Sequence, residues 1–381
     1  MFTQSLFVFA MLSAAIVLSE ILVRKTFFRH IGTSLLVIII TAVIANLGII
    51  PTSGAEAPIY SGVFAYIAPV AIFLLLLNVN LRDILQAGPK MIAMFCIGAV
   101  GTMAGVVLGM WVIDGQHAIG ELYRALGGMF TGTYTGGSVN FNAVALHYGV
   151  AQEGTLFAGA VAVDNIITTT WMLACLAFPK VMAALQKGAA NARATNSPTE
   201  VITGIEDDTE TIHPIDLGLL LGAGALATWL SELLGAWLGI PSILILTTFA
   251  LILAQFTFIN KLTGTRLLGM YGLYLFLAVI GAFCDFAALQ NIGSLGVSLL
   301  ILASMILLAH GLLIFGLSIV FKVDHNISAV ASQACFGGPT SALAVARSLG
   351  RADLQVPGIL VGALGYGVGT YLGFFIAEFV L

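Results

Sequence analysis

FTGTYTGGSVNFNAVALHYG, residues 130–149, lies between long apolar stretches yet holds four glycines, three threonines and two asparagines. A polar, glycine-loaded segment in so apolar a chain has to be explained by the fold. The chain has 381 residues, of which 59% are hydrophobic and 8% charged, against about 25% charged in an average soluble domain. Apolar runs of about twenty residues recur, the length that crosses a bilayer as a helix. One soluble core cannot bury so many runs nearly devoid of charge. Cys96, Cys175, Cys284 and Cys335 show no CxxC spacing and read as free thiols packed as small apolar residues.

Working outward from 130–149, ten spans are expected, at 3–23, 31–50, 60–79, 91–113, 155–178, 215–238, 241–259, 267–284, 295–321 and 356–380. Residues 3–23 lack the positive n-region of a signal peptide, so they read as the first span. Two segments rich in Gly, Ser, Thr and Asn remain, 122–149 and 326–350. Residues 186–214 are polar and acidic toward their end, the composition of an exposed linker. They divide the chain into halves that resemble each other. GGSVNFNAVALHYGVA from Gly136 and GGPTSALAVARSLGRA from Gly337 coincide at a constant offset of 201 for Gly136/Gly337, Gly137/Gly338, Ala143/Ala344, Val144/Val345, Ala145/Ala346, Gly149/Gly350 and Ala151/Ala352. Internal repeats of this kind are characteristic of secondary transporters.

The basic residues decide whether the two leftover segments cross the membrane, because Lys and Arg concentrate in cytoplasmic loops. With the N-terminus outside and both segments returning to their own side, Arg24, Lys25, Arg29, Arg82, Lys90, Lys180, Lys187, Arg193, Lys261, Arg266, Lys322, Arg347 and Arg351 all lie inside, and only Arg124 of the 14 lies outside. If both segments crossed, the linker, Lys261 and Arg266 would move outside. The expected fold is therefore an all-α polytopic membrane protein with about ten transmembrane helices in two inverted five-helix repeats, each with a re-entrant glycine-rich hairpin. The repeats are residues 1–180 and 215–381, joined by a cytoplasmic linker at 181–214, and both termini lie outside. A bacterial cytoplasmic membrane is the expected location.

A hairpin that breaks its helix at membrane depth must be buried in protein or line an aqueous cavity. Paired glycines permit the turn and close approach of a ligand, and the outgoing helix aims free N–H groups at the tip. Candidate solute-binding residues are Thr135, Gly136, Gly137, Ser138 and Asn140 in the first tip and Gly337, Gly338, Pro339, Thr340 and Ser341 in the second. Gly101, Gly105 and Gly109, at four-residue spacing, read instead as a helix-packing stripe.

TGTYTGGSVNF with VAVDN, and later FGGPTSALAVA, resemble the membrane family catalogued as domain of unknown function 819, over essentially the whole chain. The layout is similar to the glutamate:sodium symporter and 2-hydroxycarboxylate symporter families. That similarity implies a scaffold domain for dimerisation and a transport domain that moves as an elevator. Gly136, Gly137, Gly337 and Gly338 take the places of those families' hairpin glycines. Val139 and Thr340 stand where the third glycine of the GG-x-G pattern belongs, so no substrate identity follows.

A carboxylate within a span is a functional hypothesis, and Asp164 is one, with Asn165 and Thr168 beside it as further candidates for a coupling-ion site. Asp164 and Thr168 share a helix face. Together with tip carbonyls they form a candidate Na⁺ site, since hard cations prefer oxygen ligands. The alternatives are a proton carrier and a carboxylate satisfied structurally by hairpin N–H groups. Asp285 reads as interfacial or functional, and His310 as a packing residue or a proton relay. Arg347 and Arg351 read as cytoplasmic anchors or as a grip for a substrate carboxylate.

The expected function is cation-coupled secondary transport of a small organic anion or amino-acid-like solute, by a homodimer in the bilayer. No nucleic-acid partner, and no cofactor other than a Na⁺ ion, is expected. The alternatives are a channel, a sensor or assembly factor, or an intramembrane enzyme built on Ser138 and His147. The chain does not read as an enzyme, because no base is placed convincingly beside Ser138. No GxxxxGK[ST] or zinc-like spacing occurs.

Overall fold

The computed structural model describes residues 2–26, 28, 32–52, 57–79, 81, 84–186, 212–284 and 293–381. Within them the chain is helical, without strands. Eight helices are long and apolar enough to cross a membrane, and Thr33–Asn46 and Ser242–Leu253 are shorter apolar helices. In chain order the main helices are α1 (Ser5–Lys25), α2 (Thr33–Asn46), α3 (Pro58–Leu76, with a π segment at Val63–Ile67) and α4 (Pro89–Val112). Then come α5 (Tyr123–Gly136), α6 (Ser138–His147) and α7 (Gly154–Gln186). The second half holds α8 (Pro214–Leu238), α9 (Ser242–Leu253), α10 (Thr265–Ala282), α11 (Gly293–Val320), α12 (His325–Ser348) and α13 (Gln355–Phe375).

Local chemistry sets many of these boundaries. Pro58, Pro89 and Pro214 open their helices, where a missing N–H costs nothing. Asp324 caps α12 by accepting the Asn326 N–H at 2.9 Å. Two spans are shorter than the expected 31–50 and 241–259. A turn ends α2 before Gly48, and α9 stops at Leu253 where Gln255 reaches across. The Gln255 amide donates to the Val79 carbonyl and accepts from the Leu81 N–H, both at 3.0 Å, tying α9 to the end of α3. The first half runs past its expected boundary, since α7 continues to Gln186 through Pro179. Of the expected linker, residues 187–211 lie outside the described residues, as do Arg29, Arg82, Lys187, Arg193 and Asp285.

The helices sort into two groups by what they touch. One comprises α1, α2, α3, α8, α9 and α10, and the other α4 to α7 and α11 to α13. In the second group the Gly101–Gly105–Gly109 stripe of α4 lies flat on α11. A Cβ placed on Gly105 would stand 2.6 Å from the Ile306 Cα, and one on Gly101 2.9 Å from the His310 Cα. Small residues let the backbones approach that closely. Three pairs of residues 201 positions apart are in mutual contact: Ala71 with Gly272, Gly105 with Ile306, and Gly137 with Gly338.

Candidate functional site

The helix breaks at Gly137 (φ 91°) and, within α12, at Gly338 (φ 72°). Both angles lie in the region that favours glycine. Around the first break α5 and α6 fold against each other, with Gly132 against Asn140 and Gly128 against Val144. The two glycines meet beside one residue, Tyr366 of α13. Cβ atoms on Gly137 and Gly338 would lie 3.1 and 3.0 Å from its ring. The Tyr134 and Phe336 rings stack at 4.3 Å on the incoming sides of the two breaks.

α13 runs past both breaks. Its Gly358 abuts Val330 and Ala342, and Gly362 abuts Gly338 and Pro339. Further on, Gly365 abuts Thr135 and Gly136, Gly369 abuts Asn140 and Gly132, and Gly373 abuts Gly128 and Val144. The second broken segment thus occupies the start of α13 and the first its end, and the tips adjoin between Gly362 and Gly365.

Below the tips is a chamber of about 180 Å³ lined by Thr133, Gly137, Ser138, Asn142, Asp164, Asn165, Thr168, Gly337 and Ser341, among others. Thr133 donates a long 3.5 Å hydrogen bond to Asp164, and Thr168 lines the same chamber one turn further along α7. The buried Tyr134 hydroxyl faces it without reaching hydrogen-bond geometry. The Asn142 Oδ1 and both amide atoms of Gln333, which abuts Gly337, are also buried without a partner. Buried polar atoms are costly unless something bonds them. A carboxylate, hydroxyls and an amide oxygen make a donor set suited to a hard cation. No cluster of three or more His, Cys, Asp or Glu that could hold a metal occurs among the described residues.

A larger cavity of about 540 Å³ shares Ser138, Asn165 and Gly337 with the chamber and adds Pro339, Thr340, Tyr366, Tyr274, Arg266, Arg24 and Glu20. A third, of about 710 Å³, touches His147, Gln152, Ser231 and Glu232.

The sequence-expected residues divide accordingly. Asp164, Asn165, Thr168, Gly137, Ser138, Gly337 and Ser341 share the chamber, and Pro339 and Thr340 face the larger cavity. Asn140 does not join them. Its amide donates to the Gly365 carbonyl at 3.2 Å and accepts from the Thr370 N–H and hydroxyl at 3.1 and 2.7 Å, which clamps α6 onto α13. The Thr135 carbonyl and Gly136 lie in close contact with Gly365, and the buried Thr135 hydroxyl has no hydrogen-bond partner. Ser138 and His147 line different cavities. Thr133, Tyr134, Asn142, Gln333 and Tyr366 were missed. The threonine run 131-133-135 was the available signal, but only the fold shows that Thr133 alone of the three lines the chamber.

His310 is fully buried in a network. The Gly98 carbonyl, 2.9 Å from Nδ1, can only accept, so Nδ1 carries the proton. Nε2 then accepts from the Ser332 hydroxyl at 2.9 Å, and Ser332 accepts from the Trp171 indole at 2.9 Å. This ties α4, α7, α11 and α12 together.

Arg351 clasps the two ends of α12. It donates to Asp324 at 2.6 Å and to Asp353 at 2.7 and 2.9 Å. The Arg351 hydrogen bonds hold Asp353 below the usual carboxylate range. Burial works to raise Asp324, and the bonds from Arg351 and Asn326 override it, so it too is lowered. Depressed folded values contribute stability that is present above about pH 4 and is lost as pH falls through them. Arg351→Gln therefore lowers the melting midpoint at pH 7, and the gap from wild type closes as pH falls toward 3. A gap constant with pH would refute the clasp. Arg347 is exposed.

Long apolar helices around a buried polar chamber define a multi-pass integral membrane protein. The chain belongs to the family described as protein of unknown function (DUF819), whose model matches residues 7–381. It is 28% identical over 354 residues to the uncharacterized membrane protein YjcL of Bacillus subtilis (strain 168), a match covering 88% of this chain and 86% of that protein.

Proposed function

We propose that this protein is a cation-coupled secondary transporter of a small organic anion or amino-acid-like solute, working by elevator-type alternating access. The observation that carries this reading is the meeting of two broken helices at Tyr366, above a chamber holding one buried carboxylate. Broken helices at a common site are how transporter folds expose backbone groups to a solute and an ion. The two halves are read as inverted repeats. Residues related by a two-fold axis touch their own equivalents where the axis passes, and the three contacting pairs 201 apart fit that geometry. The order of contacts along α13 supports two hairpins entering from opposite sides.

Asp164, Thr168, Thr133 and Asn142 form the candidate Na⁺ site, with Asn165 beside it, and proton carriage by Asp164 is the alternative coupling. Arg24 and Arg266 line the larger cavity, so under the positive-inside rule it faces the cytoplasm. The third cavity then faces outward, as do both termini: Phe2 bonds Ile49 and Tyr123 bonds the Leu381 carbonyl at the opposite end. The group containing α1, α8 and α9 serves as the scaffold and homodimer face in the cytoplasmic membrane.

Reconstituted in proteoliposomes, the protein takes up labelled carboxylates or amino acids faster when a Na⁺ or H⁺ gradient is imposed. A panel in which no solute flux responds to either gradient, or single-channel currents across a planar bilayer, would overturn the proposal.

A further inference from the structure

We propose that the chamber holds a single monovalent cation, with Gln333 and Ser341 among its ligands. Its counterpart in the first half is filled by the protein itself, with the Asn140 side chain. The inference rests on reading the halves as repeats and the chamber as the coupling site. Asn140 is fully buried among four glycines. Gly132 and Gly136 belong to α5, and Gly365 and Gly369 to α13. A methyl group on Gly136 or Gly369 would collide with the Asn140 amide nitrogen. Both ends of that amide are bonded, one to the Gly365 carbonyl and the other to Thr370. The offset of 201 carries Asn140 to Ser341, and the four glycines to Gln333, Gly337, Asp164 and Thr168. The contacts agree with this alignment. A Cβ on Gly337 would meet the Ser341 hydroxyl and, at 2.9 Å, the Gln333 amide, and Ser341, Gly337, Asp164 and Thr168 line one chamber.

Polar side chains have thus changed places between the halves. In the first, the segment after the break supplies a long amide to a cage of bare glycines. In the second it supplies a short serine, and three of the four cage positions carry polar side chains. Their bonding defines what fits there. Gln333 is fully buried, and neither end of its amide has a hydrogen-bond partner. Asn142, also in the chamber lining, donates through Nδ2 to the Ser138 carbonyl at 2.7 Å. A carbonyl can only accept, so this fixes the amide's orientation and leaves Oδ1 as the unpartnered end. The Ser341 hydroxyl gives its proton to the Gly337 carbonyl at 3.0 Å, and its oxygen can still accept. With the Asp164 carboxylate and the Thr168 hydroxyl, these oxygens suit a hard cation. A single carboxylate balances a single positive charge, whereas Ca²⁺ sites gather several charged ligands.

Equilibrium binding of radiolabelled Na⁺ and Rb⁺ to the purified full chain, without any gradient, tests the site. At least one of the two binds saturably, with one ion per chain and a Hill slope of one. Two ions per chain, or no saturable binding of either, overturns the proposal. Ser341→Asn copies the Asn140 amide into the chamber, so saturable binding is lost while the ion-free melting midpoint stays near wild type. Gln333→Met keeps the length of the side chain and removes its amide. Affinity falls by about 10-fold or more, the range for losing a bond to a charged group. The ion-free midpoint does not fall, because a buried amide without partners is costly. A purely structural Gln333 gives the opposite pattern, a lower midpoint with unchanged affinity. Wild-type affinity in either variant overturns the assignment, and should one variant not fold, the other and the wild-type stoichiometry decide. One-ion binding without gradient-driven uptake of any solute sinks the transport reading and leaves this site standing. Uptake driven by a proton gradient, with no Na⁺ or Rb⁺ binding, does the reverse.

Discussion

Asp164→Asn abolishes gradient-driven uptake in proteoliposomes while leaving the protein folded. The substitution keeps the shape of the side chain, and Thr133 can still donate to its carbonyl. What disappears is the one formal charge among the described residues lining the chamber. A cation drawn into a low-dielectric chamber depends on that charge, and so does a carried proton. The initial rate is expected to fall by about 100-fold or more, equivalent to about 3 kcal/mol. The folded state should be at least as stable, because an unpaired carboxylate inside a membrane is itself costly. An unchanged melting midpoint with wild-type uptake removes Asp164 from the mechanism. Lost uptake with an unfolded protein would assign it to structure instead.

Gly136→Ala has the second large effect, and it falls on folding. A methyl group on Gly136 would overlap the Gly365 carbonyl of α13. The obstacle is backbone, so no rotamer change relieves it. Overpacking typically costs about 1–3 kcal/mol, and a backbone clash at so tight a crossing belongs at or above the top of that range. The variant should show a markedly lower melting midpoint in detergent and poor recovery as a single species on gel filtration. Gly218→Ala on α8 is the matched control, since nothing lies within 4 Å of its added methyl, and it should change stability by no more than about 0.5 kcal/mol. Equal behaviour of the two variants would mean that the tip does not bear on α13.

Much of this architecture could be read from local pattern. Apolar runs located the helices, GG pairs marked both breaks, and the Gly101–Gly105–Gly109 spacing announced a close helix contact. Each of these signals is carried by residues a few positions apart. The site was legible only in part, because its geometry depends on pairings across long sequence separations. Thr133 meets a carboxylate 31 positions away, and Asn140 meets Thr370 across 230. Nearness to the GG pair made Asn140 look like a solute ligand, but on a helix two residues along a turn is a different face. α2 and α9 look like full spans because hydropathy continues past them. Only the fold shows Gln255 turning the chain early.

The glycine track on α13 limits how the molecule can deform. From Gly358 to Gly373 it is in backbone-close contact with one tip segment or the other. Parting the tips would strip these contacts and open voids along the whole helix, whereas the boundary toward α3 and α10 is already interrupted by cavities on both sides of the tips. Under the proposed elevator motion the tip-bearing group therefore translates or tilts as one piece, and the chamber, walled in part by Ser34 of α2 and Leu277 of α10, changes its lining as it does so.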